Sequence, residues 1–407
     1  MNNDAILLVG ASVRWAATSA AAAGHRVFGM DLFGDCDTLS HCAGFRRIRG
    51  EEYSNREKFQ QAVRDFAAAQ QATVVRVGGL ASLTIPAIEP PELARLATES
   101  GFQVPDSFDD SVSPVSGSDG ENLKPRLLTK SAEGIRVNHV RWLLKQSGST
   151  GGLGVRFAEP RSHARSDKTS SLQRWIPGRA FGLVALARAE GVSLLGMTRS
   201  MFARHGDRPF VYAGSRSVPR EEPIPWDAMQ TLAETIAEHR QLRGLFNLDW
   251  IRDRSGRWWL LEVNERPSAS CEVIERTARD AGVLDPSESL MAMHINAASL
   301  SCEPNGFPIR SNAVYVKRIV DARHGGHVDL STLPSEWQEQ PDNHSLHPGR
   351  IRIHVADRPA TGTPIQTGQP IATILLDSTT NLNTTARAVR DAVRRVQSTV
   401  IVSEPIA

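Results

Sequence analysis

GLFNLDWIRDRSGRWWLLEVNERP, residues Gly244–Pro267, is the stretch whose reading decides how this chain is built. Two strand-like runs flank Asp253–Gly256, whose composition suits a hairpin turn. Asp249 lies on the first run. Glu262 and Asn264 lie on the second, two residues apart, so a strand presents both on one side. Asp249 comes within reach across the hairpin, and three oxygen ligands on one face suit magnesium held against phosphates. The carboxylates sit inside apolar runs, beside Leu260, Leu261 and Val263, where an unpaired charge is costly. The pattern therefore favours a ligand site over a solvated edge hairpin. Arg266 follows on the same side and can contact an anion.

Outward from the hairpin, Lys145–Val155 reads KQSGSTGGLGV: an apolar strand runs into a loop holding Gly148, Gly151, Gly152 and Gly154. Glycines let backbone amides approach a phosphate closely, and the lysine adds a compact cation. Lysine precedes the glycines, so this is not a P-loop; a flexible hairpin turn is the alternative. Gln173–Gly178, QRWIPG, reads as a strand running into a turn, and its backbone could line an adenine pocket. At the other end of the chain, Ala5–Gly10 (AILLVG) is a buried parallel strand, followed by a helix over Trp15–Ala23 and a strand over Val27–Met30. A helix at Glu57–Gln70 and a strand at Thr73–Val77 continue this βαβ pattern. The turn around Ser12 and Arg14 sits at a strand's carboxyl end, where open α/β sheets bind ligands, but it lacks the GxGxxG of a nicotinamide site. Arg76 and Gly78–Gly79 lie at another such end.

Ser107–Asn122 is polar and reads as a loop or linker. Beyond it, strands are expected at Arg141–Lys145, Leu172–Ile176, Gly182–Arg188, Ser193–Thr198, Phe246–Arg252 and Trp258–Val263, with a helix at Trp226–His239. The last hundred residues carry strands at Ala313–Ile319, Ile351–Val355 and Ile371–Leu376 and a helix at Thr384–Val396. His294, on an apolar helix, reads as a core histidine. With 407 residues the chain is too long for one core. A net charge of +2 gives no field for nucleic acid or anionic membranes, and no run is long enough to span a bilayer. Four cysteines, Cys36, Cys42, Cys271 and Cys302, show no ligand spacing and read as free thiols of a cytoplasmic protein. A homodimer is the default assembly.

The order of these pieces, an α/β domain, then lysine with a glycine loop, a hinge strand and Asp-x(12)-Glu-x-Asn with Arg two residues further, resembles the ATP-grasp superfamily. Within it the chain is similar to the predicted carboligase branch related to biotin carboxylase and D-alanine–D-alanine ligases. GASVRWAATSAAAAGHRVFGMDLFGDCD and ADRPATGTPIQTGQPIATILL resemble that branch's first and closing domains. The resemblance implies an α/β, ATP-grasp architecture: a doubly wound N-terminal domain (1–100), a central α+β nucleotide-binding domain (101–300) and a small β-rich C-terminal domain (301–407). It also implies that Lys145 holds the ATP phosphates under the loop Gly148, Gly151, Gly152 and Gly154. Gln173, Trp175, Ile176 and Leu261 would surround the adenine, and Asp249, Glu262 and Asn264 would bind magnesium, or manganese in its place. Arg266, with Lys145, would steady the reacting groups. The implied reaction joins a small-molecule carboxylate, such as an amino acid, to an amine through an acyl phosphate. The alternatives are bicarbonate-dependent carboxylation and a non-catalytic ATP-binding protein. Three positions depart from the family pattern. The upstream lysine is missing from Pro90–Ala94, with Lys124 and Lys130 the nearest candidates. Gln173 stands where a glutamate is usual, and Ala180 where an acid is usual. Weaker ATP binding or a shifted nucleotide is expected from them.

Overall fold

The computed structural model describes residues 5–80, 88–109, 129–131, 134–137, 140–158, 170–300, 304–309, 311–338 and 347–402. Lys124, Cys302, the Lys130 side chain and most of the expected linker lie outside the described residues. The start of that linker is not a loop: Ser107–Asp109 pairs antiparallel with Ser170–Arg174, a partner some sixty residues away that local composition cannot reveal.

The N-terminal sheet is parallel, in the order Gly44–Arg47, Arg26–Asp31, Ala5–Val9, Thr73–Arg76. Its central strand is apolar throughout because both faces are covered. Ile6 and Leu8 pack with Ala16, Ala17 and Ala20 of the helix Arg14–Ala22 on one side. Leu7 and Val9 pack with Phe59, Ala62 and Val63 of the helix Arg56–Gln70 on the other. Asn55 starts that second helix by accepting from the Lys58 amide at 3.0 Å. The doubly wound expectation holds, and the carboxyl ends of three strands open at Gly10–Arg14, Asp31–Asp35 and Val77–Leu80.

An eight-stranded antiparallel sheet follows, ordered Trp258–Asn264, Gly244–Asp253, Gly178–Ala187, Val192–His205, Arg208–Ser217, Val314–Asp321, Pro370–Ser378, Ile351–Ala356. Its last three strands come from beyond residue 300, so one sheet carries both the hairpin and most of the C-terminal segment. The helices Trp226–His239 and Pro90–Glu99 cover one face through Met229, Leu232, Ile236, Leu93 and Leu96 against Phe181, Leu183 and Trp250. The helix Ser270–Asp280 covers the other through Cys271, Ile274 and Ala278 against Val184, Leu186 and Leu195. Cys271, Ile274 and Ala278 keep helical spacing, and Glu272 and Glu275 share the buried side with them. A smaller sheet built on Val140–Gln146, with Val155–Phe157 and Ser170–Arg174 beside it, stands over the hairpin. Among the described residues no helix is long and apolar enough to cross a membrane. Cys36, Cys42 and Cys271 are free thiols.

Candidate functional site

The hairpin forms as expected, with Asp249 directly opposite Glu262 and Asn247 opposite Asn264. One irregularity decides what it presents. The register shifts between Asp249 and Trp250, so that Trp250 pairs with Leu260 and Leu261 is left over as a bulge. In a regular strand Leu260 and Glu262 would share a face. Here Leu260 packs with Trp250 and Trp258 in the core, while Glu262 turns to the opposite side of the sheet with Asp249. Glu262 is therefore not buried among its apolar neighbours as the sequence implies: 49% of its side chain is open to the cleft.

The carboxylates and amides form one hydrogen-bonded set. Asn264 Nδ2 donates to Asp249 Oδ2 at 2.9 Å and to Glu262 Oε1 at 3.2 Å. Asn247 Nδ2 donates to Asp249 Oδ1 at 2.6 Å, and Ser268 Oγ donates to Asn247 Oδ1 at 3.1 Å. Asn247 and Ser268 are site residues that sequence reasoning misses; the signal for Asn247 is its place two residues before Asp249 on the same strand face. Burial, then repulsion from Glu262, pushes Asp249 up to about 8. Partial desolvation by the cleft walls acts on Glu262 in the same direction, but Lys145 and hydrogen bonds from Asp249 and Asn264 outweigh it and leave Glu262 below its ordinary value. The two carboxylates thus titrate as a coupled pair in which Asp249 is the harder to ionise. The two facing carboxylates are hard donors that fit a magnesium ion completing its shell with phosphates and water; Asn264 turns Nδ2 toward them and Oδ1 toward Arg266, so its oxygen joins such a shell only once the amide rotates.

Across the cleft, Lys145 Nζ comes within 3.7 Å of Glu262 Oε2. The glycine loop is a true hairpin turn, closed by Gln146 N donating to Gly154 O at 3.0 Å, with Gly148, Gly151 and Gly152 at positive φ. It docks at two places. The Tyr212 amide donates to Gly151 O at 2.9 Å, and Thr150 Oγ1 donates to Gly79 O at 2.9 Å. A Cβ on Gly152 would collide with Phe210 O. The loop therefore spans from the N-terminal domain to the large sheet, roofing the cleft between them.

Arg266 reaches the same space. Its Nη2 donates to Asn264 Oδ1 at 3.2 Å, and a Cβ at Gly78 would lie 2.5 Å from Nη1 and displace the guanidinium. The hinge residues are more constrained than their sequence suggests. The Trp175 amide donates to Arg141 O at 2.9 Å and is not free for a base. Ile176 is buried, Gln173 donates through Nε2 to Ser107 Oγ at 3.3 Å, and Leu261 sits half-buried on the bulge. Arg14 is not available to a substrate as the sequence implies. It is 6% exposed and bound by Glu272 at 2.6 Å and Asp357 at 2.9 Å. His294 accepts from the Leu245 amide at 2.9 Å, and burial lowers it to about 4, as befits a neutral core histidine.

A family model described as the ATP-grasp domain matches residues 112–270. Solved structures share the fold over nearly the whole chain. An L-amino acid ligase from Bacillus licheniformis aligns at TM-score 0.61 and 11% identity, over 99% of this chain and 100% of that one. N5-carboxyaminoimidazole synthetase from Staphylococcus aureus, complexed with ADP, aligns at 0.59 and 13% identity, over 96% and 97%. Biotin carboxylase from Campylobacter jejuni aligns at 0.60 and 13% identity, over 98% and 92%. At these identities the likeness is one of fold. No curated protein matches the chain in sequence.

Proposed function

We propose that this chain, whose residues 112–270 match an ATP-grasp domain model and whose fold is shared with the L-amino acid ligase and N5-carboxyaminoimidazole synthetase structures, is an ADP-forming ligase that activates the carboxylate of an amino acid for attack by an amine. The observation that carries this reading is the bulged hairpin, which sets Asp249, Glu262 and Asn264 together against Lys145 on the opposite wall. Magnesium bound there would neutralise phosphate charge, the main demand of phosphoryl transfer. The chain's own residues supply the rest. Lys145 contacts phosphate oxygens, and the glycine loop excludes water from above. Arg266, anchored by Asn264, orients the carboxylate that accepts the phosphoryl group. The amine then displaces phosphate from the acyl phosphate. No protein nucleophile is required.

The direct test measures ADP and phosphate release from magnesium-ATP with pooled amino acids, each with and without small amines. Release that needs both a carboxylate and an amine supports the ligase; release that needs only bicarbonate transfers the case to carboxylation. Binding without release in any pool favours a non-catalytic ATP-binding protein.

Two further outcomes follow from the geometry. Filling the site with magnesium-ADP at pH 7 should release protons, because the cation favours the ionised form of Asp249, which burial and Glu262 hold back. Affinity should rise with pH up to about 8, where Asp249 ionises unaided. Calorimetry in buffers of different ionisation enthalpy reads this directly, and proton-neutral binding would place the cation elsewhere. Gly152→Ala puts a Cβ against Phe210 O at a backbone angle of φ +75°. The left-handed conformation alone costs roughly 1–2 kcal/mol for an L-residue, so nucleotide affinity should fall about tenfold or more. Unchanged affinity would remove the loop from the nucleotide site.

A further inference from the structure

A second polar site lies where the N-terminal sheet meets the C-terminal strands. Five carboxylates, Asp31, Asp35, Asp37, Glu272 and Asp357, surround two cations, Arg14 and Lys317. Four of the acids are fully engaged. Asp31 accepts from the amides of Val13, Phe33 and Gly34 at 2.9–3.1 Å. Asp37 accepts from the amides of Asp357 and Arg358 at 2.8 and 2.9 Å. Asp357 accepts from Arg14 Nε and Ser12 Oγ, and Glu272 is bound by Arg14 and Lys317.

Asp35 is the exception. It is 7% exposed, caps no helix with its side chain, and has no hydrogen-bond or ion partner among the described residues. Its carboxylate faces Asp357, Asp37 and Asp31, with Arg14 as the cation in reach. Burial, then repulsion from those three, pushes it up to about 8. The other positive group nearby, Arg358, directs Nη1 to Gln338 O at 2.7 Å, and His41 lies beside Asp37. A buried carboxylate without a partner is destabilising in the free chain, so it marks a position that a ligand completes.

These acids share one strand edge with the proposed reaction site. Arg266 Nη1 touches Gly78, Gly78 O accepts from the Ala11 amide at 3.0 Å, and Ala11 O accepts from the Leu32 amide at 3.1 Å. Ser12, next in the chain, reaches Asp357 at 3.1 Å. The carboxyl edge of the N-terminal sheet thus forms a floor from Arg266 to the acids. Among the described residues no three acidic, histidine or cysteine side chains converge as a metal shell would. The surplus negative charge therefore suits an organic cation better than a bare metal ion.

We propose that Asp35 anchors the ammonium group of a zwitterionic substrate, an amino or ω-amino acid whose carboxylate lies toward Arg266. An amine held among carboxylates keeps its proton and its lone pair is not available to attack. The anchored ammonium is therefore a recognition group of the carboxylate substrate, and the attacking amine comes from a second molecule. The pocket rests on the ligase reading only for the placement of the carboxylate end.

The test compares 5-aminopentanoate and L-ornithine with pentanoate and glutarate by calorimetry on the full chain, as the native sequence, as Asp35→Asn and as Glu262→Ala. The ammonium compounds should bind the native protein and Glu262→Ala alike, and pentanoate and glutarate should bind far more weakly. Asp35→Asn should weaken the ammonium compounds about 30-fold, the loss expected when one member of a buried charge pair is removed. The Asp35→Asn substitution also relieves a buried unpartnered charge. The free variant should therefore melt at or above the native temperature at pH 8, which separates lost binding from lost folding. Equal binding of pentanoate and 5-aminopentanoate, no binding of either ammonium compound, or undiminished binding in Asp35→Asn overturns the proposal. So does Asp35-dependent stabilisation by potassium or magnesium chloride alone, which would make the pocket a metal site. If ammonium binding depends on Asp35 while no pool releases ADP, the pocket stands and the ligase reading fails.

Discussion

Glu262→Ala should lower ADP-forming turnover by roughly a thousandfold, the scale on which removing one preorganised electrostatic group from a reaction site acts. The fold should be indifferent to the change. Glu262 has 49% of its side chain open to the cleft and interacts with Lys145, Asn264 and Asp249, none of which is a core contact. A surface substitution of this kind shifts stability by about 0.5 kcal/mol or less. The free variant should also show Asp249 titrating closer to the ordinary carboxylate range, because the neighbouring negative charge is gone. Glu262→Gln isolates charge from size and should lose most of the same activity. Turnover that survives in Glu262→Ala, in a protein that melts normally, would remove the hairpin from the reaction and with it the assignment of Asp249 and Asn264 as cation ligands.

Glu272→Ala should act in the opposite way, through the fold. Glu272 is 3% exposed and is held by Arg14 at 2.6 Å and Lys317 at 2.7 Å, so its carboxylate joins the N-terminal helix, the helix Ser270–Asp280 and the C-terminal strand Val314–Asp321. Removing one partner of a buried ionic set leaves the others uncompensated and costs about 3–5 kcal/mol. That is a large part of the usual stability of a folded protein, so the variant should melt far lower or accumulate as insoluble chain. The pH dependence has a defined sign. Burial alone would raise Glu272, but Arg14 and Lys317 outweigh burial and hold it at about 2. A carboxylate depressed in the folded state contributes stability that is fully present above its unfolded pKa and is lost as pH falls toward 2. The native protein should therefore lose stability through this acid range, and Glu272→Ala should show a shallower loss there. A variant as stable as the native protein at pH 7 would mean that the three segments are joined by their apolar contacts alone.

How far the sequence carries this picture differs from element to element. The strand Ala5–Val9 is legible because a parallel strand covered on both faces must be apolar throughout. The helix Trp226–His239 is legible because its buried residues Met229, Leu232, Ala233 and Ile236 keep helical spacing. The helix Ser270–Asp280 is less legible: Cys271, Ile274 and Ala278 keep helical spacing, but its buried face also carries Glu272 and Glu275, whose cationic partners lie far away in the chain or a turn along the helix. The strand Arg208–Ser217 is hidden; it mixes polar and small residues and is defined by the strands on either side of it. The family resemblance has Trp175 offering backbone groups to adenine; the fold commits its amide to the Arg141 carbonyl.

By itself the sequence determined the order of the pieces and the residue types of the site: a lysine before a glycine loop, a hinge, and Asp249, Glu262 and Asn264 on two strands of a hairpin. These follow from local spacing, because strand alternation and glycine's backbone freedom act within a few residues. Tertiary structure decided which way those residues face and which charges are free. The bulge at Leu261 turns Glu262 away from the core that Leu260 occupies, and it exists because Trp250 and Leu260 must both pack on the other side of the sheet. The same is true of Arg14, buried between Glu272 and Asp357, and of Asp35, left without a partner. Their ionic surroundings are assembled from segments hundreds of residues apart, and no periodicity along the chain records a contact of that kind.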